Sequence, residues 1–217
     1  MDPVDSALAA FDAARDRNIE DLIALCRIPS VSFPGFDAEH LHESAEFTRK
    51  LLLARGFDQA EVLEIDGAHP YVFAEARAED PRAPTVLLYA HHDVQPSGDV
   101  EVWTSPPFMP ELRDGRVFGR GTGDDKAGII VHCAAVDAWK QAGGLPVNLK
   151  YLIEGEEDVG SAHRDTFLTR FRDRLAADVL VVTDTVNVDP GVPSLTNSLR
   201  GMVAVDVEVR GLTGPVP

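Results

Sequence analysis

Apolar residues recur at helical spacing near the start of the chain. Leu8, Phe11, Ile19, Leu22, Ile23 and Cys26 line one face, so a helix is predicted over residues 5–27, and Pro29 stops it. A second helix is predicted over residues 39–55, with Phe47, Leu51 and Leu52 inward and Gly56 as its C-terminal stop. The pattern then shifts to short apolar runs that read as strands, at 61–65, 71–76 and 85–90. The third run is nearly continuous in apolar character, the mark of a central strand covered on both faces. Residues 95–123 read as a long irregular segment carrying Pro96, Pro106, Pro107 and Pro110. Its Trp103 and Phe108 favour an ordered, functional loop. A helix over 127–141, a strand over 147–153, a helix over 164–175 and a short buried strand over 178–182 follow. Strands alternating with helices predict an α/β fold, a layered and mostly parallel sheet flanked by helices. From Ser198 the pattern changes again: Val203, Val205, Val207 and Val209 alternate with Ala204, Asp206, Glu208 and Arg210. That half-solvated strand, residues 202–210, is expected to open a second domain of α+β type, giving domains over 1–197 and 198–217.

A length of 217 residues with 44% hydrophobic and 26% charged side chains suits one large globular domain, or one domain and part of another. The net charge of −16 argues against nucleic acid or an anionic membrane as partner, since both need a basic surface. Most of that acidity serves as solvated surface. Cys26 and Cys133 lie in helix-like apolar stretches, far apart in sequence. They are expected to be reduced, buried thiols of a cytoplasmic protein. The acidic, amphipathic N-terminus has neither the basic start nor the apolar core of a signal peptide. No apolar run approaches the ~20 residues that span a bilayer.

Four polar clusters follow apolar runs. In His91-His92-Asp93, positions 91 and 93 face the same side of an extended chain. His91 can therefore bind a metal while Asp93 holds its other ring nitrogen; a strand-end His beside a turn Asp is the plainer alternative. Asp124 and Asp125 follow a glycine-rich turn, Gly119-Arg120-Gly121-Thr122-Gly123, and precede a helix. Adjacent carboxylates repel unless a cation offsets them, or one of them simply caps the helix. The turn lacks the spacing of a phosphate-binding loop. Glu156 and Glu157 end a strand and face opposite ways, so one can bind metal while the other acts as a general base; an acidic surface loop is the alternative. Asp184 follows Val179-Leu180-Val181-Val182, at the strand end where α/β sheets bind ligands, or else closes a turn. Four such clusters in one α/β pattern together indicate a hydrolytic metal centre.

Taken as a set, His91-His92-Asp93-Val94-Gln95-Pro96, the run 119–126 and Glu154-Gly155-Glu156-Glu157 resemble the dinuclear-zinc peptidases and deacylases. That family includes carnosinase-type dipeptidases, acetylornithine deacetylase, succinyl-diaminopimelate desuccinylase and glutamate carboxypeptidase. The motifs look most like the dipeptidase branch, and the chain resembles the family's N-terminal half, 1–197 being part of the catalytic domain and 198–217 the start of a lid. The resemblance implies His91, Asp124, Glu157 and Asp184 as zinc ligands, Asp124 bridging two ions, with Co2+ or Mn2+ as substitutes. It implies Asp93 as the residue orienting His91, Glu156 as general base and a cis peptide between Asp124 and Asp125. The expected activity is hydrolysis of a dipeptide or similar small amide by a water activated between two zinc ions. N-acyl-amino-acid deacylation by the same metals is a second expectation, and a truncated, inactive fragment a third. The family also implies a homodimer formed through the lid and a late His ligand. In relatives a His continues the turn 211–216, where Pro217 stands in this chain.

Overall fold

The computed structural model describes residues 2–209 and Gly211. The chain divides into two units after Asp184.

The first unit opens with two helices rather than the single one expected. Helix α1, Pro3–Ala13, starts with proline at its first turn and Asp2 accepting a hydrogen bond from the Val4 N–H at 2.9 Å. Helix α2 runs Arg15–Cys26. The break falls at Ala14, inside the stretch between Phe11 and Ile19 that offers no large apolar side chain to hold one continuous stripe. Both helices pack on α4, Lys126–Gln141, and Arg17 pairs there with Asp137. Helix α3, Glu39–Ala54, buries Leu41, Ala45, Thr48 and Leu52, a three-to-four-residue spacing on one face.

Five strands form one sheet in the order β1-β2-β6-β3-β7. They are β1 Gln59–Leu63, β2 Tyr71–Ala76, β3 Thr85–His91, β6 Asn148–Glu154 and β7 Val179–Val182. β3 runs parallel to both β6 and β7, whereas β1–β2 and β2–β6 are antiparallel. The expected parallel sheet is thus a parallel core with an antiparallel margin. The short connection after β1 is too brief for a crossover, so β2 must turn back along its neighbour. Helices flank the sheet. One face carries a core of Leu25, Leu52, Val72, Leu88, Ile129 and Ile153 among others. The other packs Leu63, Tyr71, Phe73 and Leu152 against Phe167 and Leu175. The latter two belong to α5, Arg164–Arg170, and α6, Arg172–Leu175, which part at Phe171 where one helix was expected.

Residues 95–123 are ordered and contain an unforeseen hairpin. Strands β4, Glu111–Arg113, and β5, Arg116–Phe118, pair antiparallel around Asp114-Gly115, whose φ angles are +49° and +75°. Positive φ at both central positions is the turn that matches strand twist.

β7 corrects a second expectation. Its apolar run predicts a buried strand, yet Val179, Leu180, Val181 and Val182 are all exposed, because β7 ends the sheet among the described residues. Among the described residues of the second unit, 202–209 adopt no strand, unlike the half-solvated strand expected there; Arg210 and the expectation at Pro217 lie outside the described residues. Among the described residues no helix is long and apolar enough to cross a membrane.

The parallel trio fixes the geometry that matters. β3 pairs His91 with Glu154 of β6 and Tyr89 with Val182 of β7. The carboxyl ends of three strands therefore lie side by side, and the segments leaving them share one edge of the sheet.

Candidate metal centre

His91, the last residue of β3, is fully buried. Its Nε2 lies 2.9 Å from Asp124 Oδ1, 3.9 Å from Glu157 Oε2 and 3.9 Å from Asp184 Oδ2. Its Nδ1 lies 3.3 Å from Asp93 Oδ1. Burial alone would lower the pKa of this imidazole; Asp93, Asp125 and Asp158 outweigh it and raise the value to about 10.

The turn before α4 brings in two carboxylates. The Asp124–Asp125 peptide is cis, as the resemblance implies. Asp125 stands at the N-cap of α4, yet its side chain makes no capping bond. Its Oδ2 instead accepts the backbone N–H of His91 at 3.2 Å, and its Oδ1 is buried with no hydrogen-bond partner among the described residues. Desolvation, with Asp184 and Asp124 nearby, pushes Asp125 up to about 7. Gly128 allows this close packing: a Cβ there would fall 2.4 Å from Asp125 Oδ1 and 2.6 Å from Thr183 Oγ1.

The acidic turn after β6 divides its residues. Glu156 is buried and turned away from His91. Tyr71 OH and the His163 N–H donate to its Oε1 at 3.0 and 2.9 Å, and His163 Nδ1 bonds its Oε2 at 2.9 Å. Glu157 faces the other way, toward His91, and is 40% exposed. Asp158, which sequence reasoning passed over, joins the group: its carboxylate, that of Asp93 and a ring nitrogen of His91 all lie within 4.8 Å of one another. Gln95 Nε2 donates to Asp158 Oδ1 at 2.7 Å. A second such group is His91, Asp125 and Asp184. Burial, with neighbouring carboxylates, raises Glu157, Asp158 and Asp184 above the usual carboxylate range. His92 faces away from the cluster. Its Nε2 donates to Pro70 O at 2.9 Å, and burial drives its pKa down to about 4.

The structure thus brings together His91, Asp93, Asp124, Glu157 and Asp184 and leaves Glu156 outside. Asp125 and Asp158 were missed as contributors, although each adjoins a residue that was singled out. The donor set suits a divalent cation. One imidazole and several mutually repelling carboxylates converge, with an orphaned buried oxygen on Asp125. Mixed nitrogen and oxygen donors of this kind fit zinc.

The sequence matches the model of peptidase family M20/M25/M40 over residues 87–212. It is 34% identical over 203 residues to the cysteinylglycine-S-conjugate dipeptidase of Corynebacterium striatum, covering 93% of this chain and 44% of that relative. Its fold matches the dipeptidase Dug1p of Saccharomyces cerevisiae with a TM-score of 0.75 and 25% identity, over 84% of this chain and 41% of that one. Human carnosine dipeptidase 1 matches with a TM-score of 0.72 and 28% identity, over 84% and 41% respectively. The chain spans less than half the length of these relatives. With the family model covering more than half of its residues, this chain belongs to peptidase family M20/M25/M40.

Proposed function

We propose that the chain supplies the metal-binding part of a zinc-dependent dipeptidase. The observation that carries this reading is the position of His91 Nε2, surrounded by Asp124, Glu157 and Asp184 at the carboxyl edge of the sheet. Dipeptidases among the relatives support the substrate class. His91, Asp124, Asp158 and Asp184 would hold zinc, which supplies Lewis-acid polarisation of the scissile carbonyl and acidifies water. Asp93 holds the His91 ring in one orientation.

The base is better sought at Glu157 than at Glu156. Both Glu156 oxygens are already engaged by Tyr71 and His163. Glu157 is part-exposed beside His91 and its pKa is raised by burial, which suits an acceptor that must also give its proton back. In this reading Glu157 takes a proton from the attacking water and returns it to the leaving amine. Glu156, with its three hydrogen bonds, holds the turn that presents its neighbour.

The test is dipeptide hydrolysis by the zinc-loaded chain and its Glu157→Gln and Glu156→Gln variants, with bound zinc measured in each. The reading expects Glu157→Gln to lose at least ~100-fold in rate while retaining zinc, and Glu156→Gln to remain active. Zinc retention with no hydrolysis of any dipeptide, by the chain or by a form extended to the full length of its relatives, would overturn the dipeptidase reading.

A further inference from the structure

We infer that Ser32 is a positioning residue of the metal centre, acting through Asp93. This rests on the reading of the centre as a cation site. Asp93 is completely buried between the end of β3 and the acidic turn. Its carboxylate accepts from Ser32 Oγ at 2.7 Å, from the Asp158 N–H at 3.0 Å and from the Glu157 N–H at 3.2 Å, and lies 3.3 Å from His91 Nδ1. One carboxylate thus ties the His91 ring to the backbone of the turn carrying Glu157 and Asp158. Ser32 makes the shortest of these contacts, and it comes from a distant part of the chain that precedes the family match at residues 87–212.

The segment bearing Ser32 is itself held. Val31 bridges to Val94 in parallel, and the Val94 N–H donates to Ser30 O at 2.9 Å. Upstream, the buried Lys126 Nζ donates to Leu25 O at 3.1 Å and Ile28 O at 2.8 Å. Lys126 follows Asp125 directly, so the residue starting α4 also anchors the chain that leads to Ser32. Without the Ser32 hydroxyl, Asp93 Oδ2 would keep one amide donor only. A buried carboxylate that loses a hydrogen bond to its charged form can turn, and the His91 ring turns with it.

Ser30 provides the control. It is also buried, but its Oγ donates to the backbone carbonyl of His92 at 2.7 Å, with no hydrogen bond from it to the Asp93 carboxylate among the described residues. A purely structural role would make Ser30→Ala and Ser32→Ala equivalent.

The experiment measures zinc affinity by competition with a chromogenic chelator, folding by circular dichroism, and the His91 ring signals of the metal-free chain by NMR. Ser32→Ala is expected to remain folded, weaken zinc binding about 10–100-fold and shift the His91 signals. Ser32→Thr, which keeps the hydroxyl, restores both. Ser30→Ala lowers the melting temperature and keeps zinc affinity near that of the unaltered chain. Unchanged zinc affinity and unmoved His91 signals in Ser32→Ala would overturn the inference, as would an equal loss in Ser30→Ala. If Ser32→Ala does not fold, Ser32→Cys, close in size with a weak donor, carries the same test in the same directions. If the unaltered chain binds no zinc, the metal reading fails, and the shift or constancy of the His91 signals alone decides the role of Ser32.

Discussion

His91 and Glu156 mark what single residues disclose. A His and an Asp two positions apart at a strand end must share a side, so the His91–Asp93 pairing was readable from spacing. Neighbouring Glu156 and Glu157 must diverge, but which of them faces inward depends on Tyr71, 85 residues before Glu156, and on how His163, seven residues after it, folds back. Gly155 shows how tightly this corner is packed. A Cβ there would lie 2.3 Å from Pro70 O and 2.8 Å from His92 Nε2. Gly155→Ala should therefore cost roughly 1–3 kcal/mol or more, read from the shift of a urea midpoint at constant slope. His132 gives a pH signature beside the cluster, next to Thr183, which precedes Asp184. It is buried, its Nε2 lies 3.1 Å from Thr183 Oγ1, and desolvation lowers its pKa from 6.5 to about 4. The folded chain then binds fewer protons than the unfolded chain between these values. The stabilisation is full above pH 6.5 and is lost as pH falls toward 4, on the order of 3 kcal/mol. Urea unfolding across that range should be less pH-dependent in His132→Gln, with His92 responsible for part of the remaining slope.

Among the elements, hydrophobic pattern placed every strand of the main sheet to within about two residues, because apolar runs bounded by turns are local signals. Interruptions were harder to see. The break at Ala14 falls in the gap between Phe11 and Ile19, which the reading of 5–27 as one helix bridged, and the break at Phe171 falls inside a stretch, 164–175, read as one helix. The β4–β5 hairpin was legible in principle: Asp114-Gly115 is a strong turn dipeptide, hidden by the prolines around it. Gly115 has a φ of +75°, and a Cβ added there would meet nothing within 4 Å, so only backbone strain opposes a side chain at this position. Gly115→Ala should lower stability by about 1–2 kcal/mol, and hydrogen exchange should show the loss concentrated in residues 111–118.

At the scale of the whole molecule, a parallel core gathers three strand ends on one edge, and that arrangement was the most legible feature, since alternating strands and helices imply it. The accessibility of β7 was not legible, because Val179–Val182 reads the same whether covered or bare. An exposed apolar strand ending a sheet favours self-association, opposed by a net charge of −16. Leu180→Lys should reduce concentration-dependent association in sedimentation velocity while leaving the circular dichroism spectrum unchanged. The central claim is that His91 organises a cation site from carboxylates carried by three separate segments. The most direct test is equilibrium zinc binding by the unaltered chain and by His91→Ala, both checked for folding. The claim predicts at least one tightly bound zinc in the unaltered chain and an affinity loss of ~100-fold or more in the variant; equal affinity in the two folded proteins would contradict it.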